Sequence, residues 1–145
     1  MSNAAPTPQS DHSPHPNLLA TRIALAVLLI YWVALFYGTH TRVPKGLLPK
    51  DSDKLIHFWA YAGLGILLMS YRSTQRACTW LSVAGCWLLL ALYGAFDELT
   101  QPLVNRNADL ADWYCDIAGA LVGLAMVKLG VRYCQARSPS QLQEP

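Results

Sequence analysis

Long uncharged apolar stretches dominate the chain. Residues 23–37, 55–71 and 78–96 contain no Asp, Glu, Lys or Arg, and residues 113–131 form a fourth apolar stretch. A helix that spans a bilayer needs about 20 mostly apolar residues, within a range of about 17 to 25. The pattern therefore predicts an all-α fold: a four-helix transmembrane bundle, threaded up and down, with short loops. The predicted spans are about residues 18–37, 55–71, 78–96 and 113–131.

Composition supports a membrane protein of about one domain. The 145 residues are 53% hydrophobic and only 14% charged, whereas soluble domains carry roughly 25% charged residues. The length leaves no room for a separate cofactor domain. Residues 1–17, rich in Pro, Ser and Ala, are predicted to be a disordered tail. The membrane domain is then residues 18–135, followed by a flexible stub, residues 136–145.

The distribution of charge predicts the orientation. The net charge of +2 comes without a basic patch interleaved with aromatic residues, so nucleic-acid binding has no support. Six Lys and Arg residues fall on the side that carries both termini and five on the other. By the positive-inside rule both termini are cytoplasmic. We therefore expect a multi-pass protein of the cytoplasmic (inner) membrane, whose acidic loops are extracytoplasmic.

Polar residues spaced four apart mark the ends of three spans. Residues four apart lie on one side of a helix. The three sets are Asp53, His57 and Tyr61 where the second span begins, Tyr93, Asp97 and Gln101 where the third ends, and Asp112 and Asp116 where the fourth begins. Up-and-down threading brings these ends to one membrane face. A charged group in hydrocarbon costs about 2.5–3.5 kcal/mol, so these side chains are expected to meet in one polar cleft.

The cleft has residue types suited to acid–base chemistry. His57, Asp97 and Asp116 are the predicted catalytic residues: His57 as general acid or base, with Asp97 or Asp116 orienting it. Asp97 and Glu98 are adjacent, about 100° apart on a helix, so only one is expected to face inward, and we favour Asp97. The predicted substrate-binding residues are Asp53, Lys54, Tyr61, Glu98, Gln101, Arg106 and Asp112.

Lys54 and Arg106 are expected to hold an anionic group such as a phosphate, and Gln101 to donate a hydrogen bond to the substrate. Arg106 is also expected to fold back over a carboxylate, and the candidates are Asp97, Glu98 and Asp112. We expect no cofactor and no metal. A divalent cation held by Asp97, Asp112 and Asp116 is the less favoured alternative, because the ligand set is incomplete.

Several of these residues also have purely structural explanations. Asp51, Ser52 or Asp53 is a suitable N-cap for the second helix, and Asp109 for the fourth. Gln101 can satisfy the last carbonyls of a helix that Pro102 ends. His57 can be a neutral histidine that donates to a backbone carbonyl. Gly119-x-x-x-Gly123 allows a close backbone approach, either within the chain or in a homodimer.

Four motifs occur in a characteristic order along the chain. They are Asp53-Lys54-x-x-His57-x-x-x-Tyr61, Asp97-Glu98-x-x-Gln101, Arg106-x-x-Asp109-x-x-Asp112 and Gly119-x-x-x-Gly123. Over roughly residues 53–123 the chain resembles the VanZ-like family of small bacterial integral membrane proteins. One departure is Asp116, where many members carry Asn. The family is named for a protein associated with resistance to the glycopeptide teicoplanin, and its biochemical activity is not established. The resemblance implies a role at the cell envelope, and antibiotic resistance is not carried over to this chain.

Three functions are compatible with these features. The favoured one is a membrane-embedded enzyme or binding protein that acts on a lipid-linked or cell-envelope substrate, such as a cell-wall precursor. The alternative is a structural or regulatory subunit, in which the polar residues only hold the helices together. A small transporter is less favoured, because the polar residues cluster at one face and no inverted repeat is visible.

Overall fold

Four long α-helices make up most of residues 17–41 and 52–137, the parts of the chain that the computed structural model describes. They are α1 (Leu18–His40), α2 (Ser52–Ser73), α3 (Trp80–Thr100) and α4 (Leu110–Arg137), with a short 3-10 helix, Gln101–Val104, after α3. These ranges contain no strand, so the all-helical prediction is confirmed for them. The predicted tail up to residue 16, residues 42–51 between α1 and α2, and residues 138–145 of the stub lie outside the described residues.

The helices extend beyond the apolar stretches that predicted them. α1 begins after Asn17, whose side-chain oxygen accepts from the amides of Leu19 and Ala20 at 3.1 and 3.3 Å. It continues to His40, three residues past the predicted end of the span. α4 begins after Asp109, whose carboxylate accepts from the Ala111 amide at 2.8 Å, so Asp109 caps this helix as its position predicts. An apolar stretch predicts only the part of a helix that lies in hydrocarbon. The helix itself is longer, because its backbone hydrogen bonds continue into the polar residues at each end.

Three helical segments are long and apolar enough to cross a membrane. They are Leu18–His40, Trp80–Val104 and Leu110–Arg137. Within the described residues α2 does not meet this criterion. Asp53 and Lys54 lie in its first turn and Arg72 lies in its last. The uncharged part between them is therefore at the short end of the length range for a membrane span. The prediction of membrane-spanning helices is thus confirmed for three of the four.

α2 and α4 approach each other closely along glycines. Gly119 and Gly123 are buried, and a Cβ atom on either would meet a carbonyl oxygen of α2, that of Phe58 or Ala62. The Gly-x-x-x-Gly pattern therefore serves a contact within the chain, one of the two uses that the sequence left open. A homodimer stays a prediction, without these glycines as its basis.

The outer surface of the helices is apolar. Leu64, Met69, Leu90 and Leu124 are fully buried between the helices, but many large apolar side chains point outward, among them Leu81, which is 82% exposed. Soluble proteins rarely expose apolar surface so extensively. The outward faces of the helices are therefore those of a protein surrounded by lipid.

Contacts between polar side chains of different helices lie at the two ends of the molecule, whereas nearer the middle Tyr31 and Trp87 donate to backbone carbonyls of a neighbouring helix. At one end, which we call the polar end, the end of α1 contacts the end of α3, and the start of α2 contacts the start of α4. At the other, which we call the opposite end, the hydroxyl of Thr21 donates to that of Thr74 at 3.1 Å, and Lys128 donates to the Cys78 carbonyl. The polar end contains the predicted site.

Candidate functional site

His57 lies at the centre of the polar end. Its side chain is 2% exposed, and its Nδ1 is 3.0 Å from Oδ1 of Asp116, which is fully buried. An ionised carboxylate can only accept a hydrogen bond, so Nδ1 carries the hydrogen in this pair. The pairing follows from the local folding, because His57 is in the second turn of α2, Asp116 is in the second turn of α4, and the glycine contact brings the two helices together.

Two further carboxylates lie on opposite sides of the His57 ring. Oε1 of Glu98 is 4.0 Å from Nδ1, and Oδ2 of Asp112 is 4.0 Å from Nε2. Both distances are too long for hydrogen bonds. The imidazole is therefore surrounded by carboxylates from α3 and α4 but hydrogen-bonded to only one of them.

Asp97 and Glu98 are both buried, so the expectation that only one of them faces inward is wrong. Asp97 points toward α1, where the Thr39 hydroxyl donates to its Oδ1 at 3.0 Å. Glu98 points toward the other side, where its two oxygens accept from the Gln101 amide at 3.0 Å and the Asp109 backbone amide at 2.9 Å. The end of α3 packs against α1 on one side and against the turn before α4 on the other, so both side chains are buried.

The His57 partner in the structure is Asp116 rather than Asp97. Asp97 instead belongs to a second group with Thr39 and His40, whose Nδ1 is 3.6 Å from Oδ1 of Asp97. His40 also reaches Thr100, with 3.0 Å between Nε2 and the hydroxyl oxygen. Sequence reasoning missed Thr39 and His40 because the predicted span ended at residue 37. The spacing of four between Phe36 and His40 was the available signal, and their rings stack with centroids 4.0 Å apart.

Basic residues lie at the rim of the polar end. Arg106 pairs with Asp53 at 3.3 Å and donates to the Thr39 carbonyl, so the expectation that it folds over Asp97, Glu98 or Asp112 is wrong. The chain turns at Asn105, which has a left-handed φ of 58°, a conformation that Asn tolerates better than most residues. That turn directs Arg106 back across the helix ends. Lys54 pairs with Asp109 at 3.8 Å, and both side chains are partly exposed.

Several buried polar atoms at the polar end have no hydrogen-bond partner among the described residues. They are Tyr61 Oη, Tyr93 Oη, Asp97 Oδ2, Gln101 Oε1, Asp112 Oδ1 and Asp116 Oδ2. Leaving such an atom unpaired costs about 1–3 kcal/mol, and native proteins keep few of them. Their concentration in one place indicates a site that a ligand, an ion or water completes.

The predicted site residues are thus gathered at one end of the molecule, where they form three groups. His57, Asp116, Glu98 and Asp112 form the centre. Asp53, Lys54 and Arg106 form the rim. Asp97 lies beside α1, and Tyr61 and Gln101 are buried next to the carboxylates.

Two sets of three residues could hold a metal ion. Their potential ligand atoms lie within 4.8 Å of one another in Asp53, His57 and Asp112, and in His57, Glu98 and Asp116. The set considered from the sequence, Asp97, Asp112 and Asp116, is not one of these groups. The reason is that Asp97 turns away from α4 toward Thr39.

The fold and the site define a small helical membrane protein with a buried cluster of carboxylates around one histidine. The chain belongs to the VanZ/LLP1 family, whose family model matches residues 7–131. The resemblance inferred from the four motifs is thereby confirmed, and it extends to α1 and most of α4. No curated protein and no solved structure matches the chain significantly.

Proposed function

We propose that the protein binds and chemically acts on the polar end of a lipid-linked or cell-envelope substrate at the extracytoplasmic face of the cytoplasmic membrane. His57 and Asp116 are the reactive centre. The observation that carries the proposal is the group of unpartnered buried polar atoms around this pair, which includes one oxygen each of Asp112 and Asp116. A substrate head group would supply the missing partners.

The same observation favours a site over a purely structural cluster. A polar network that only holds helices together is most stabilising when every member is satisfied. Glu98 meets that description, because both of its oxygens accept hydrogen bonds. Asp112 and Asp116 do not, and both lie against His57.

The residues take distinct roles in this proposal. Asp116 orients His57 through Nδ1, so that Nε2, on the side toward Asp112, exchanges a proton with the substrate. Arg106 and Lys54 are each paired with a partly exposed carboxylate at the rim. Both side chains of the Lys54–Asp109 pair are exposed, and such a pair contributes only about 0–1 kcal/mol, so a phosphate can replace Asp109 there at little cost. Arg106, whose side chain is 16% exposed, can bind a phosphate oxygen beside Asp53.

The membrane arrangement is part of the proposal. α2 has 22 residues, and at about 1.5 Å per residue such a helix is long enough for hydrocarbon about 30 Å thick. With α2 as a fourth span the chain crosses up and down, both termini are cytoplasmic, and the polar end is extracytoplasmic.

Cysteine labelling tests the orientation. The four free cysteines, Cys78, Cys86, Cys115 and Cys134, are first replaced by serine. In intact cells a membrane-impermeant thiol reagent should label Thr41→Cys, at the polar end, and not Ser73→Cys, at the opposite end. The reverse pattern would move the site to the cytoplasmic side.

A comparison of two variants tests the function. In a deletion strain, the lipid and cell-wall precursor profile is measured after complementation with wild type, His57→Asn or Thr74→Ala. The Asn amide can still donate to Asp116 but cannot exchange a proton, whereas Thr74→Ala removes a helix-to-helix contact at the opposite end. We expect one envelope species to shift in the His57→Asn strain and to be normal with Thr74→Ala.

Two outcomes would reject this function. Equal profiles for wild type and His57→Asn would leave the polar end as a structural or regulatory element. Substrate flux in proteoliposomes that depends on His57 would indicate transport instead. A link to glycopeptide resistance is an implication of the family name and forms no part of the proposal.

A further inference from the structure

The polar end contains more buried negative charge than the described residues can balance. Asp97, Glu98, Asp112 and Asp116 are all buried. The two basic side chains nearby, Lys54 and Arg106, pair with Asp109 and Asp53 at the rim and do not reach these four.

Within residues 17–41 and 52–137, the imidazoles of His40 and His57 are the side chains next to these carboxylates that can carry a positive charge. Even with His57 and His40 both protonated, four ionised carboxylates would leave two negative charges without compensation. Buried charges in proteins are paired or coordinate a metal. A histidine that ligates a metal is neutral, so with His57 as a ligand and only His40 protonated three negative charges remain, and a divalent cation would offset two of them.

The geometry around His57 Nε2 suits a metal ligand. Nδ1 is engaged with Asp116, which leaves Nε2 to act through its lone pair. Oδ2 of Asp112 lies 4.0 Å from Nε2. That is too far for a hydrogen bond, but two ligands about 2.0–2.2 Å from one ion lie between about 3 and 4.4 Å apart, with the upper limit for ligands on opposite sides of the ion.

A third ligand and an unpartnered atom complete this side of the ring. Asp53 offers a carboxylate oxygen, and the ligand atoms of Asp53, His57 and Asp112 lie within 4.8 Å of one another. Asp53 is half-exposed, so it can close the remaining few tenths of an ångström by rotating. Asp112 is more than nine-tenths buried, and its Oδ1 has no partner among the described residues.

The second set, His57, Glu98 and Asp116, suits an ion less well. Its His57 and Asp116 atoms are already hydrogen-bonded to each other, and both Glu98 oxygens accept hydrogen bonds. An ion there would displace contacts, whereas an ion at Nε2 would supply missing ones. Asp116 then resembles the carboxylates that hold a ligating histidine in orientation.

We propose that the polar end binds one divalent transition-metal ion, ligated by His57 Nε2, Asp112 and Asp53, with Asp116 orienting His57. A nitrogen ligand beside carboxylate oxygens suits Mn²⁺ or Zn²⁺ better than Ca²⁺ or Mg²⁺, which prefer oxygen alone. The ion becomes the reactive centre of the site, and His57 acts as its ligand. With the ion bound, His57 Nε2 no longer exchanges a proton, so the inference changes the role of His57 in the proposed function, but it stands on the ligand geometry whether or not the substrate is an envelope precursor.

A Mn²⁺ titration tests the site. The full-length protein in detergent is freed of metal with a chelator and titrated with Mn²⁺, and free Mn²⁺ is measured by its electron paramagnetic resonance signal. We expect one bound ion per chain and displacement by Zn²⁺ at lower concentration than Mn²⁺, as the usual order of affinities requires. Ca²⁺ and Mg²⁺ should displace Mn²⁺ poorly.

Matched variants assign the ligands. Asp112→Asn should weaken Mn²⁺ binding at least about tenfold, and Asp116→Asn about tenfold, as the loss of an orienting partner does. Asp109→Asn makes the same charge change three residues before Asp112 and keeps a helix cap, so it should leave the affinity unchanged. Thermal melts of the metal-free proteins check that each variant is folded, and His57→Asn serves as a second ligand variant if Asp112→Asn is not.

Each alternative result has a definite meaning. No Mn²⁺ or Zn²⁺ binding, equal losses in Asp112→Asn and Asp109→Asn, or equally good displacement by Ca²⁺ would each overturn the metal site. The titration needs no substrate. If the wild-type protein binds no metal but the precursor profile depends on His57, the metal site is rejected and the proposed function stands. If the protein binds metal but the precursor profile does not depend on His57, the proposed function is rejected and the metal site stands.

Discussion

The two ends of the molecule join their helices by different kinds of contact. At the opposite end, a neutral hydroxyl pair, Thr21 and Thr74, joins α1 to α2, and Lys128 donates to a backbone carbonyl. At the polar end the helices meet through buried carboxylates and imidazoles, among them the fully buried Asp97 and Asp116. Both ends hold helices together, but the polar end does so with buried carboxylates and imidazoles, whereas the charged group named at the opposite end, Lys128, donates to a backbone carbonyl.

This difference indicates which polar contacts are needed to join the helices and which are not. A few partly buried hydroxyl and carbonyl contacts are sufficient to join the helices at the opposite end. Carboxylates at the other end add desolvation cost without a matching number of partners. Ionisable groups kept within membrane helices at such cost usually serve a function.

The largest effect is expected where the α2–α4 contact supports the polar end. Gly123→Ala places a Cβ atom against the Ala62 carbonyl, and this backbone cannot move aside as a flexible side chain would. Overpacking costs about 1–3 kcal/mol, and we expect this site to be at or above the upper end. The measurement is the free energy of unfolding in detergent, alongside metal affinity, which should fall too.

Gly130→Ala is the matched control near the other end of the same helix. A Cβ atom there meets nothing within 4 Å, and Ala is favoured over Gly in a helix by about 1 kcal/mol. We therefore expect this variant to gain stability. Destabilisation of similar size by both variants would mean that the glycines do not mark a close approach of α2 and α4.

Removing one buried charge is the next largest change, and it should stabilise the metal-free protein. Asp97→Asn keeps an oxygen that can accept from Thr39. It also lowers the repulsion among the buried carboxylates, so the free energy of unfolding should rise by about 1 kcal/mol. The measurement is thermal unfolding in the presence of a chelator.

Asp109→Asn is again the control, because the side chain is half-exposed, forms its ion pair with Lys54, and caps α4 in a way that Asn can also do. A charge change at such a position should alter stability by less than about 1 kcal/mol. If Asp97→Asn instead destabilises the metal-free protein, the Asp97 carboxylate has sufficient partners in the fold. The negative charge at the polar end is then compensated, contrary to the inference.

Much of this architecture could be predicted because hydrophobic length and helical periodicity are local properties. The apolar stretches located all four helices, the spacing of His57 and Asp53 placed them on one face, and Gly-x-x-x-Gly indicated a close helix contact. These features depend on residues three or four apart, which a sequence displays directly.

Long-range pairing could not be predicted in the same way. His57 had two candidate partners, and the choice of Asp116 depends on how α2 and α4 pack, which no local pattern specifies. The burial of both Asp97 and Glu98 depends on two different neighbours, α1 on one side and the turn before α4 on the other. Thr39 and His40 escaped notice because a polar extension of a helix carries no hydrophobic signal.

The smallest expected difference compares one threonine from each end. Thr39→Val removes the hydroxyl that donates to the buried Asp97, so the carboxylate loses a partner and the free energy of unfolding should fall by about 1–3 kcal/mol. Thr21→Val removes the donor to Thr74, which is only partly buried and also donates to the Tyr71 carbonyl. Its expected cost is about 0.5–1.5 kcal/mol, the net value of an ordinary hydrogen bond. Unfolding of both variants in detergent measures the difference, and an equal or larger loss for Thr21→Val would contradict the view that charge burial distinguishes the polar end.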